Sequence, residues 1–155
     1  MGGALTSLVA VAGTLLGSAL TYVFQRRTAG RAEQFARDER LRRDRVSAYS
    51  AFAEAVMEYR HQELQVWLHR HGELTHPLPE RFEVEQGRLR SLALRARYRV
   101  QLLAEDPQLV ELADQSLDAV AEIHHAKDAT ELMEHGERTE QRVERFIREA
   151  AAEVR

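Results

Sequence analysis

Two pairs of residues have the spacing of metal ligands: Glu58 with His61, and Glu122 with His125. A carboxylate and an imidazole three positions apart share a helix face, and two such Glu-x-x-His pairs inside a four-helix bundle can hold a pair of metal ions. Ligands of this kind must project inward. At about 100° per residue, with Tyr49 as zero, Glu58 falls at about 180° and His61 at about 120°, away from the apolar stripe that begins at Tyr49. Glu122 and His125 likewise lie opposite Leu109, Ala113 and Val120. The spacing therefore predicts no metal site and no cofactor. His69, His71 and His76 form another cluster, but a spacing of two does not align ligands on a helix, so solvated histidines near a chain break are expected.

Arginines offer a different chemistry. Arg88, Arg90, Arg95, Arg97 and Arg99, with Tyr98, could grip phosphate of nucleic acid or lipid. They surround their helix instead of forming one face, and residues 104–155 carry six basic against fourteen acidic side chains. The arginines are expected to pair with that acidic region, with no nucleic-acid partner. There is no cysteine, which removes disulfides, thiolate zinc sites and cysteine nucleophiles together. Glycine-rich phosphate loops and nucleophile elbows are also absent from the sequence. An enzyme would need polar residues facing the interior, and the projection singles out none. No catalytic residue is assigned and no enzymatic activity is expected.

The elements that carry these residues begin with an apolar segment. Ala4 to Phe24 is uncharged, and as a helix it would extend about 31 Å, the hydrocarbon thickness of a bilayer. No Lys or Arg precedes Arg26, which argues against a secretory signal. Arg26, Arg27 and Arg31 follow the run directly, beyond Tyr22 and Phe24 at interfacial depth, so the N-terminus is expected outside the cell membrane and the remainder in the cytoplasm. Residues 26–45 carry eight Arg against four acids, a charge suited to anionic lipid. Gly3, Ser7, Ala10, Thr14, Gly17 and Thr21 recur at spacings of three and four. Together with Gly13 of a Gly13-x-x-x-Gly17 motif they predict a seam through which spans self-associate into a homo-oligomer.

Residues 28–45 read as a charged helical stalk, with Glu33–Arg37, Asp38–Arg42 and Glu39–Arg43 as acid-first pairs at i, i+4. From residue 46 the pattern is that of packed helices. The first has Tyr49, Phe52, Val56, Leu64 and Trp67 as its core face, and it ends near Gly72 and the Thr75–Pro79 connection. A second, over about 80–104, presents Phe82, Leu89, Leu92, Ala96 and Leu103. Asp106-Pro107 opens a third with Leu109, Leu117 and Val120. Asp128 and Glu131 form a capping box for a fourth with Leu132, Val143, Phe146 and Ile147. Within the second, residues 92–102 (LALRARYRVQL) alternate in polarity and leave helix and strand open.

The run LTYVFQRRTAGRAEQFARDERLRRDRVSAYSAFAEAV, in the first third of the chain, resembles uncharacterised small membrane-anchored helical proteins of actinobacteria. The resemblance lies in layout, a small-residue span, Gln-Arg-Arg, an Arg/Glu helix and then Tyr-Ser-Ala-Phe, and implies topology without an activity. The expected protein is all-α: a transmembrane anchor over residues 1–27, a stalk over 28–45, and a cytoplasmic antiparallel bundle of about four helices over 46–155. Its expected role is a single-pass interaction or scaffold module that meets membrane lipid, a second copy of itself and a protein partner of unspecified identity. A channel-forming or membrane-permeabilising oligomer is the first alternative, and a metal-binding helical-bundle enzyme the second.

Overall fold

Good helix formers and the absence of proline before Pro77 let one helix run without a break from the N-terminal region into the core. In the computed structural model α1 covers Gly2–Arg70, followed by α2 (Phe82–Leu103), α3 (Pro107–Glu122), a 3-10 turn (Ile123–His125) and α4 (Ala129–Glu153). The structure describes residues 2–73 and 82–155, with side chains described from residue 33 onward. The chain is all-helical among the described residues. It divides into two units, Met1–Leu41 and Arg42–Arg155. In the first, residues 33–38 are all exposed, Phe35 among them at 74%.

The end of α1 and the starts of α3 and α4 are satisfied locally. α1 closes in a Schellman arrangement: Gly72 takes a φ of 73°, Glu73 N donates to Leu68 O at 2.9 Å and Gly72 N to His69 O at 3.1 Å. Only glycine adopts that backbone without steric cost. Asp106 accepts from Gln108 N at 2.8 Å ahead of Pro107. Asp128 accepts from Glu131 N at 2.9 Å, and Glu131 reaches back to Lys127 N, one residue before the cap.

Within the second unit, neighbouring helices run antiparallel. Along α1, Tyr49 Oη donates to Glu153, Arg60 Nε to Gly136 O and Trp67 Nε1 to Ala126 O, so numbers rise on α1 as they fall on α4. Arg45 Nε meets Leu103 O while Gln86 meets Glu63, which sets α2 against α1 in the same sense. Arg97 to Asp114 and Arg142 to Gln115 extend the pattern to α3 and α4. Phe52, Val56, Val100, Leu109, Val120, Ile123 and Phe146 are fully enclosed at the centre. Gly136 lets α4 approach α1: a Cβ there would sit 3.3 Å from Arg60 Nη2.

The open question at 92–102 resolves as helix. Ala93, Ala96 and Val100 are buried, whereas Leu94, Tyr98 and Leu102 are exposed. The buried face of α2 consists largely of small residues, so a reading weighted by large side chains finds a false alternation. Most expected core positions lie in the core or against it. Tyr49, Phe52, Val56, Trp67, Leu89, Leu109, Val120, Leu132, Val143 and Phe146 are buried, and Leu64, Leu92, Leu103 and Leu117 pack half-buried around them. Phe82 is half-buried in the first turn of α2. Ile147 departs from the expectation, being 48% exposed. It follows Phe146 by about 100° of helical rotation, which turns it from the centre toward the groove between α1 and α4.

Candidate functional site

Glu63 is the most unusual side chain in the core. It is a carboxylate on α1 with 2% exposure, placed there by register: at about 100° per residue it falls between Phe52 and Val56 on the buried stripe. This corrects the expectation that no polar residue faces inward. Gln86 Nε2 on α2 donates to Glu63 Oε1 at 2.8 Å. Tyr59, one turn earlier on α1, is also buried. Desolvation, reinforced by the Glu63 charge and a hydrogen bond to it, pushes the Tyr59 phenol up to about 12, with Arg90 opposing.

These groups line a cavity of about 480 Å³ framed by α1, α2 and the end of α3, with Arg70, Arg90, Asp118 and His124 also on its wall. The volume lies in the range of small-molecule pockets. Tyr59, Glu63 and Gln86 were not foreseen as site residues. The signal was present, since a glutamate on the apolar stripe of an amphipathic helix is an exception to burial preferences that calls for a partner.

A second polar cluster ties the ends of the helices together. Arg45 pairs with Glu105 and donates to Leu103 O at 2.9 Å. Glu153 Oε1 accepts from Tyr49 Oη at 2.7 Å and from Glu105 N at 3.1 Å. Burial, then the hydrogen bond to Glu153, raises the Tyr49 phenol well above its ordinary range. Both tyrosines therefore favour the neutral form in the folded state. Their contribution to stability is fully present below the unfolded value, about pH 10, and is lost as pH rises through about 12 for Tyr59. Alkaline unfolding followed by circular dichroism and tyrosinate absorbance should begin in this window, and Tyr59→Phe should reduce the loss.

On the outer side, Val46, Ser50, Ala53, Ile147 and Ala151 line an apolar groove of about 390 Å³ between α1 and α4.

The residues with metal-ligand spacing do not converge. Glu58, His61, Glu122 and His125 are all exposed, and among the described residues no group of three or more potential ligands gathers. His71 stacks on Trp67 with ring centroids 3.8 Å apart, while His76 lies outside the described residues. Of the α2 arginines, Arg97 makes the expected contact with α3, a two-pronged pair to Asp114 at 2.6 and 2.7 Å. Arg88 instead pairs with Glu85 on its own helix at 2.6 Å. Arg95 donates to Ser91 O at 3.3 Å, again within α2.

The seam Gly3, Ser7, Ala10, Gly13, Thr14, Gly17 and Thr21, and the flanking Arg26, Arg27 and Arg31, lie outside the residues whose side chains are described. Among those that are described, no helix is long and apolar enough to cross a membrane.

Compared with known proteins, residues 46–154 match the family described as KilB plasmid transfer protein. No curated protein and no solved structure matches the chain.

Proposed function

We propose, given that this chain belongs to the KilB plasmid transfer protein family, that it serves plasmid transfer as a membrane-anchored helical interaction module without catalytic activity. The observation that carries this reading is that α1, Gly2–Arg70, holds both the uncharged run Ala4–Phe24 and the core face from Ala48 to Trp67. A helix anchored in lipid at one end and packed in a folded unit at the other fixes that unit to a membrane without further contacts. The family match over residues 46–154 supports plasmid transfer as the process, and the apolar run supports a membrane location. Self-association through the small-residue seam would gather several copies at one place in the bilayer.

The test is fractionation of cells expressing the full-length chain. Anchored protein stays with membranes through carbonate extraction, and protease added outside intact cells leaves residues 46–155 undigested. Release into the carbonate supernatant, or external digestion of that region, would end the proposal. Gly13→Ile with Gly17→Ile should lower a dimerisation signal between full-length copies and lower plasmid transfer in mating assays. Dye leakage from liposomes distinguishes a sealed scaffold from the channel-forming alternative.

A further inference from the structure

We infer that the cavity between α1, α2 and the end of α3 is a binding site for a small organic cation, whose ammonium or guanidinium head is held by Glu63. None of the ion pairs among the described residues includes Glu63. Its described hydrogen-bond partners, the Gln86 amide at 2.8 Å and the Tyr59 phenol, are both neutral at physiological pH. A buried carboxylate is costly unless something compensates for its lost hydration, and neither Arg70 nor Arg90, which share the cavity wall, is among its described ion-pair partners. Here that carboxylate borders a space of about 480 Å³, which is room for a ligand instead of a packed side chain.

The shape of the site favours a small molecule over a protein side chain. Glu63 is 2% exposed, so a group reaching it must enter the cavity and leave the surface behind. Tyr59 and Leu94 offer apolar faces to a short aliphatic stem, Asp118 and Glu83 add negative charge, and Arg90 and Arg70 set a positive boundary. A compact cationic head on a slender stem satisfies this lining. The phenol of Tyr59, held neutral by burial and by the Glu63 charge, can accept a hydrogen bond from the same cationic head.

Titration calorimetry on the purified full-length chain tests the assignment, with agmatine, putrescine and ethylammonium as probes and glutarate as the anionic control. At least one cation should bind with a stoichiometry near one while glutarate gives no heat. Glu63→Gln keeps the shape and most hydrogen bonds and should weaken that cation by about tenfold or more, the loss expected when a charge-assisted hydrogen bond becomes a neutral one. Circular dichroism confirms that the variant is folded; should it fail to fold, Asp118→Asn removes a negative charge from another wall of the cavity and should likewise weaken the cation. A purely structural Glu63–Gln86 link predicts no heat with any probe. That result, or binding unchanged by Glu63→Gln, overturns the proposal. Neither outcome bears on membrane attachment, which fractionation reads separately.

Discussion

Replacing Phe146 with alanine should cost about 3–5 kcal/mol of stability, read as a lower urea midpoint with little change in slope. Phe146 is fully enclosed. Its ring meets Phe52 edge-on with centroids 4.8 Å apart and Tyr49 at 6.1 Å, so truncation removes the transfer energy of the ring, leaves a void and loses two aromatic contacts. A domain of this size has roughly 5–15 kcal/mol to lose. The melting temperature should therefore fall by more than about 10 °C. Ile147→Ala is the matched control. Ile147 is half-exposed on the groove, and the loss should stay below about 1 kcal/mol. Equal effects at the two positions would show that the register of α4 is wrong.

Trp67→Ala should be similarly severe, at about 3–5 kcal/mol, for a different reason. The indole is 3% exposed and its Nε1 donates to Ala126 O at 2.8 Å in a buried contact. Ala126 lies between the 3-10 turn and α4, and its own N–H caps that turn through Ile123 O. The tryptophan therefore fastens the end of α1 to the corner where the chain reverses from α3 into α4. Truncation both empties the site and strands a carbonyl without its donor. Trp67→Phe separates these effects, since it keeps most of the packing and loses the hydrogen bond. A cost of about 1–3 kcal/mol is expected for it. Urea denaturation followed by circular dichroism checks both variants, because the only tryptophan is itself the residue removed.

Much of the helical unit was legible in advance because helix formation and capping are local. Asp106-Pro107 and Asp128 through Glu131 announce helix starts through side chains within four residues of the backbone they satisfy. Gly72 marks an end because of its backbone freedom. Large apolar residues at helical spacing placed Tyr49, Phe52, Val56 and Trp67 on one face. The same rule failed where size misled it. On α2 the inward face takes in Ala93 and Val100 beside the expected Leu89 and Ala96, and its small residues contribute little apolar weight yet permit close approach. At Phe146 and Ile147 two large residues stand side by side, and the choice between them belongs to the neighbouring helices.

The candidate site divides along the same line. The outward projection of Glu58, His61, Glu122 and His125 was accessible from periodicity, and all four are exposed. Glu63 was equally accessible by angle and passed over, because attention to apolar residues ignores a polar one on their stripe. Its partner Gln86 was beyond reach, since no local rule says which residue of α2 arrives opposite a given turn of α1. The pairing of Arg97 with Asp114, and of Arg88 with Glu85, likewise depended on the rotation of α2 about its own axis.

By itself, then, the sequence determined that the chain is helical, where its caps lie and which faces are apolar, because each depends on groups a few residues apart. The tertiary structure alone decided which carboxylate lies beside a cavity, which arginine finds which acid and which of two adjacent large residues is enclosed. Those outcomes depend on the rotation and approach of helices distant in the chain, and small residues at the interface govern that approach as strongly as large ones fill it.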